Sequence, residues 1–307
     1  MSFGDLNIDR DTLGFHWLPV SGAFVKWKVL DLIYFVSLFC FDWFFLARAE
    51  PFQRQFTIND LTISHPFAEH ERVTTFACIA LDTLVPLICI SASVLLLTPK
   101  QHKVHVWYIT IVGLGVTITT NSLVTDVLKN WVGRCRPDFL ARCIPKEDAV
   151  KDTLYLAKDI CTQTDHSLLM DGFRTTPSGH SSGSFSGLGY LTFWLCGQLT
   201  VFKNRTSAWR IILAGLPTLL AAYIALSRTQ DYRHHFVDIL LGSLLGSIMA
   251  WWGYRRYYPE LTSGYCYEPY TIIDEKKLTE FQREDEDGFY LSNHRSQEHL
   301  DPLREIV

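Results

Sequence analysis

Several absences narrow this chain before any motif is read. No cysteine pair forms C-x-x-C and no Cys/His spacing suits zinc, so the eight cysteines do not read as a metal framework. No cluster of carboxylates resembles a two-metal site. Neither sign of charge dominates: 28 basic side chains face 32 acidic ones for a net charge of −4, which gives no sign of a nucleic-acid partner. There is no internal repeat. No leader with a charged start, a short apolar run and a small-residue cleavage site precedes residue 29, so the first apolar block is expected to be its own membrane-insertion signal.

What the chain has in quantity is apolar sequence, 48% of its 307 residues, with 14% aromatic, partitioned into long blocks. A bilayer core of about 30 Å needs roughly 20 apolar residues in a helix. Residues 29–47, 74–97, 104–128, 181–202, 209–226 and 236–254 meet that need. Soluble core helices seldom run so long without a polar face. Trp107, Tyr108, Trp209, Trp251, Trp252 and Tyr254 also gather near the ends of the blocks, as an interfacial belt would. The expected fold is all-α, a six-transmembrane-helix bundle. Residues 1–28 would form a cytosolic segment, 29–256 the six-span core, and 257–307 an acidic, largely disordered cytosolic tail.

An even number of spans puts both termini on one side and the first, third and fifth connections on the other. The third connection, residues 129–180, and the fifth, residues 227–235, carry every polar cluster discussed below. Topology alone therefore predicts an active site formed by two loops and helix ends on one membrane face. Lys26, Lys28, Lys100, Lys103, Lys203, Arg205, Arg210, Arg255 and Arg256 flank the spans on the side of the termini, which favours cytosolic termini once the motif cations are set aside. The Asn204-Arg205-Thr206 sequon is then cytosolic and expected to carry no glycan. Cys40, Cys78, Cys89 and Cys196 lie in apolar blocks as small hydrophobes. Cys143 and Cys161 share a loop on the side read as oxidising, where a disulfide between them is expected.

Three clusters place polar residues where membrane proteins avoid them. In Lys129-Asn-Trp-Val-Gly-Arg134-Cys-Arg136-Pro137, two helical turns would bring Arg136 to the face of Lys129; a snorkelling interfacial cluster is the plainer reading. In Thr176-Pro177-Ser178-Gly179-His180 a helix start offers unpaired N–H groups to an anion beside His180, although an ordinary N-cap looks the same. In Ser227-Arg228 through His234-His235 to Asp238, His234 and Asp238 are spaced i,i+4, so on a helix the carboxylate would orient the ring and free its other nitrogen to attack. His235 has Ile239 at that spacing and no such partner. Together the clusters supply three cations, a helix N-terminus and two histidines, the set phosphoryl transfer requires.

These residues resemble the type 2 phosphatidic acid phosphatase (lipid phosphate phosphatase) superfamily. Its pattern, a lysine, six residues and Arg-Pro, then Pro-Ser-Gly-His, then Ser-Arg, five residues and His, is matched in order over roughly residues 29–256. The run from Ser227 to Asp238, with His70-Glu-Arg-Val-Thr, is similar to fungal diacylglycerol pyrophosphate phosphatases. The resemblance implies a membrane lipid phosphatase acting on diacylglycerol pyrophosphate, phosphatidate and related lipid phosphates. His234 would attack phosphorus, with Asp238 orienting it, and His180 would protonate the leaving oxygen and then activate water. Lys129, Arg136, Arg228, Ser178 and the Gly179 N–H would hold the phosphate. No cofactor or metal is expected, activity should not need Mg²⁺, and the rate should be bell-shaped in pH. The orientation implies a site open to a lumen or the cell exterior, and an endomembrane location, vacuolar or ER/Golgi, with a luminal site is expected. A lipid phosphotransferase and a non-catalytic membrane protein on the same fold stay open. A transporter is disfavoured because no span is interrupted by paired Gly/Pro. A soluble peroxidase is disfavoured by the six spans.

Overall fold

The computed structural model of the chain describes residues 22–280. Apart from two isolated bridges, Phe56 to Tyr155 and Pro145 to Cys161, the regular structure among these residues is helical. Six long helices coincide with the six apolar blocks: α1 Val29–Phe44, α2 Thr75–Leu97, α3 Lys103–Val132, α4 Gly179–Gln198, α5 Ala208–Gln230 and α6 Phe236–Tyr257.

Their ends follow from local chemistry. The Thr74 hydroxyl accepts from the Ala77 N–H at 3.2 Å and starts α2, which runs to Leu97 just before Thr98-Pro99. α3 closes on Gly133 at φ +57°, where a Cβ would collide with the Phe52 carbonyl, so only glycine ends this helix here. Arg136 therefore does not ride two helical turns beyond Lys129, as its spacing suggested, because the helix stops at Val132. It is brought back by a turn whose Arg136 N–H donates to the Gly172 carbonyl at 2.8 Å.

Four helices are long and apolar enough to cross a membrane: α2, α3 with the turn before it (Lys100–Val132), α5 and α6. Their outward side chains include Ile88, Leu96, Leu219 and Leu244, exposed by 64%, 82%, 68% and 59%, a surface that lipid and not water would cover. The chain is an integral membrane protein. The other two blocks are weaker as helices than as sequence. α1 has 16 residues, about 24 Å at the usual rise. α4 is long enough but carries Ser181, Ser182, Ser184 and Ser186, all buried, because it lies at the centre, ringed by α2, α3, α5 and α6. Small residues allow that closeness: a Cβ on Gly242 of α6 would stand 2.6 Å from the Ser178 carbonyl.

One apolar core, including Ile109, Leu114, Trp194 and Tyr254, joins α2, α3, α4 and α6 away from the polar loops. Tyr254 belongs to this core, stacked on Tyr258, and is not part of an interfacial belt. A second core sits in a cap built from the first and third connections, around Phe56, Phe139, Phe173 and Ile160. Phe139 packs 4.8 Å from Phe56 and 4.7 Å from Phe173, and each such buried ring contributes about 1.5–3 kcal/mol. The Cys143–Cys161 disulfide is formed in this cap.

The expected disordered tail is corrected over its first part. Residues 258–280 fold back under the bundle, with Cys266 and Ile272 buried. Tyr254 donates to the Cys266 carbonyl at 3.1 Å, His105 meets Thr271 at 2.8 Å and Lys26 pairs with Glu275 at 2.9 Å. The signal missed was the apolar content of Tyr265, Tyr267, Ile272 and Ile273 within an acidic stretch. The acidic run Glu284–Asp287 and residues 1–21 lie outside the described residues.

Candidate active site

The polar clusters meet at the capped end of the bundle. Phe52 N–H donates to the Asn130 carbonyl at 2.8 Å, Arg72 pairs with Asp231 at 2.9 Å and Arg233 pairs with Asp138 at 3.1 Å, so the first, third and fifth connections are bonded to one another. At the start of α4, Ser178 is the N-cap and its N–H donates to the Asp238 carbonyl at 3.0 Å, which fixes α6 against α4. A Cβ on Gly179 would come 3.3 Å from the Lys129 ammonium, so the first cluster's lysine abuts the second cluster's helix end.

The three expected cations are held by protein groups on one side. Lys129 donates to the Arg174 carbonyl at 3.3 Å. Arg136 is buried and clamped on Asp171, through Nε to its carbonyl at 2.9 Å and Nη2 to its carboxylate at 2.7 Å. Arg228, 2% exposed, donates to Glu71 at 3.0 Å and to the Val73 carbonyl at 2.8 Å, while its Nε is buried without a partner. A buried donor left unmade is costly, and a bound oxyanion would satisfy it. His180 is half-buried with Nε2 3.2 Å from the Val73 carbonyl, so one strand of chain, Glu71–Val73, touches both Arg228 and His180.

His234 is 3% exposed. Burial pushes its pKa well below the ordinary 6.5, and Arg136, Lys129, Arg228 and His180, in that order, push it further. A histidine of the third cluster thus lies within the field of all three expected cations, two from the first cluster and one from its own.

The pairing of His234 with Asp238 is corrected. α6 starts at Phe236 with His235 as its N-cap, so His234 lies outside the helix and the i,i+4 spacing does not place the two on one face. Asp238 instead closes a capping box: its Oδ2 accepts from the His235 N–H at 2.9 Å and lies 3.1 Å from His235 Nδ1. His235 therefore does have a carboxylate partner. Asp238 also receives Thr175 Oγ1 at 2.7 Å, Thr176 Oγ1 at 2.5 Å and Arg134 Nη1 at 3.2 Å. His234 Nδ1 is 2.8 Å from the Thr175 carbonyl.

Residues outside the three clusters hold the site together. Arg142 is wholly buried between Asp138 at 3.1 Å and Asp171 at 3.0 Å. Glu71 bridges Arg228 at 3.0 Å and Arg233 at 2.9 Å. Phe67 lies under the guanidinium groups of Arg142 and Arg233, 5.1 and 4.2 Å from them. Burial alone would raise the Asp171 carboxyl, but Arg136, Arg142 and Lys129 outweigh it and hold the group at about 2, ionised at every working pH.

A family model described as the PAP2 superfamily matches residues 110–261, which include all three clusters. A diacylglycerol pyrophosphate phosphatase of Saccharomyces cerevisiae is 47% identical over 83% of this chain and 87% of its own length. The chain belongs to the PAP2 superfamily. A probable diacylglycerol pyrophosphate phosphatase of Schizosaccharomyces pombe is 41% identical over 74% of this chain and 78% of its own. A PAP2-type phosphatidylglycerolphosphate phosphatase of known structure from Bacillus subtilis is 18% identical and aligns over 71% of this chain and 93% of its own at a TM-score of 0.33. Membership in this superfamily makes the convergence of Lys129, Arg136, His180, Arg228 and His234 the place to seek phosphatase chemistry.

Proposed function

We propose that this chain is a six-span membrane phosphatase that hydrolyses diacylglycerol pyrophosphate, phosphatidate and related lipid phosphates through a phosphohistidine on His234, with no need of Mg²⁺. The observation that carries the reading is the field at His234: a buried, neutral imidazole beside Arg136, Lys129 and Arg228, with a donor of Arg228 still unpartnered. A neutral ring next to fixed cations is what an in-line attack on a phosphate anion needs. The relatives named as diacylglycerol pyrophosphate phosphatases supply the substrate class.

In this mechanism Lys129, Arg136 and Arg228, with Ser178 and the Gly179 N–H, hold the phosphate oxygens and supply the charge that a metal ion supplies elsewhere. The Nε2 lone pair of His234 forms the bond to phosphorus as the bond to the leaving oxygen breaks, and that oxygen takes a proton from His180. Neutral His180 then draws a proton from water, which attacks phosphorus and releases phosphate from His234. The termini face the cytosol and the site faces the lumen of an endomembrane, vacuolar or ER/Golgi. The basic residues at the far ends of the helices and the Cys143–Cys161 disulfide on the site's side favour that orientation.

The test is phosphate release by the purified chain in detergent micelles with diacylglycerol pyrophosphate, phosphatidate and lysophosphatidate, in chelator, beside His234→Ala. Turnover that survives chelation and falls to the no-enzyme rate in the variant is expected. Turnover by His234→Ala, or turnover lost in chelator and restored by Mg²⁺, contradicts the proposal.

A further inference from the structure

The Asp238 carboxylate does not touch His234, yet the two are joined by one residue. Thr175 has no exposed surface. Its carbonyl lies 2.8 Å from His234 Nδ1, its hydroxyl oxygen lies 3.2 Å from the same nitrogen, and that hydroxyl lies 2.7 Å from Asp238 Oδ2.

The hydrogens in this chain of contacts are dictated by chemistry. A carbonyl oxygen only accepts, so Nδ1 carries the hydrogen and the lone pair of the neutral ring is on Nε2. An ionised carboxylate only accepts, so the Thr175 hydroxyl hydrogen points to Asp238 and leaves its oxygen lone pairs towards Nδ1–H. Thr175 thus presents two acceptors to one ring nitrogen, one from the backbone and one from a side chain anchored by Asp238. Thr175 N–H donates to the Arg134 carbonyl at 3.4 Å, and Arg134 itself pairs with Asp238 at 3.2 Å, so the segment is held from both ends.

We propose that Thr175 is a positioning residue for the reaction, and that Asp238 acts on His234 through it. Thr175 fixes the tautomer and tilt of the imidazole. As the ring gains positive charge on bonding to phosphorus, the hydroxyl dipole oriented by Asp238 stabilises the stronger Nδ1–H donor. This rests on His234 being the nucleophile.

The test compares the wild type with Thr175→Val, Thr175→Ala, Thr175→Ser, Asp238→Asn, the Thr175→Val/Asp238→Asn double variant and His234→Ala, each shown folded by size exclusion and melting. Substitution by valine or alanine is expected to lower kcat by about 10- to 100-fold with KM within about threefold, the loss typical of a misplaced reacting group. Serine, which restores the hydroxyl, returns kcat to within about threefold of wild type. The double variant falls no further than Asp238→Asn alone, because the two act as one unit. Wild-type kcat in a folded valine or alanine variant overturns the proposal, as do losses that multiply in the double variant or a serine variant as slow as alanine. Alanine covers the case in which valine does not fold; failure of both to fold while serine is fully active makes Thr175 a structural residue and also overturns it. Turnover by His234→Ala instead removes the nucleophile assignment, a result separable from all of these.

Discussion

His234 is buried among cations, and burial first and then their charge set its useful pH range. Its pKa is held well below 6.5 by burial and then by Arg136, Lys129 and Arg228. A lowered pKa keeps the ring neutral, hence nucleophilic, on the acid side of neutrality, and protonation shuts it off only lower still. The acid limb of kcat/KM is therefore expected below pH 6.5 in the free enzyme. Arg136→Gln removes a cation that disfavours the imidazolium, so the limb should move up, towards the ordinary histidine value, while kcat/KM falls about tenfold or more from lost phosphate binding. A limb that stays in place or moves down in the variant contradicts this field. Lys129, Arg136, His180, Arg228 and His234 were legible as site candidates because they are polar groups in apolar surroundings. Their holders were not. Asp171 and Arg142 are charged residues in loops that read as solvated, and nothing local in the sequence says that Asp171 meets Arg136 and Arg142 across 35 and 29 residues, or that Glu71 meets Arg228 across 157.

At the scale of elements, the error in pairing Asp238 with His234 has a single cause, the point at which α6 begins. A helix reaching back to His234 would have stacked the two; the helix starts two residues later, and Asp238 is consumed in the capping box of His235. Boundaries of one or two residues are below what periodicity can fix, whereas the helices themselves follow from apolar length. The cap is the other element on which the site depends. Arg136 is seated on Asp171, at the end of the short helix His166–Asp171, which follows directly on the loop that Cys143–Cys161 closes on itself. That disulfide spans 18 residues, a closure worth about 3 kcal/mol in the chain-entropy treatment. Reduction, or the Cys143→Ser/Cys161→Ser pair, is expected to make the 144–174 segment open to limited proteolysis and to lower kcat/KM, with the transmembrane core still folded by circular dichroism. Unchanged cleavage and activity after full reduction would show that the cap stands without it.

On the scale of the whole molecule, three segments separated by up to a hundred residues are made into one site by a simple rule: alternate connections of a helical bundle share a face. That much was readable from the apolar blocks alone. The density at the centre was not, because the serines of α4 look like a poor membrane span until α2, α3, α5 and α6 are seen to cover them. The docked stretch 258–280 was hidden for the opposite reason, its apolar residues being diluted by acidic neighbours. The proposed reaction is covalent catalysis through His234. The most direct measurement is an acid-free quench of the purified chain during turnover of diacylglycerol pyrophosphate labelled in its terminal phosphate. The prediction is label on the wild-type chain that is stable in alkali, lost in acid and absent from His234→Ala, as a phosphoramidate on that ring requires. Equal label on His234→Ala, or an alkali-labile linkage, would contradict it.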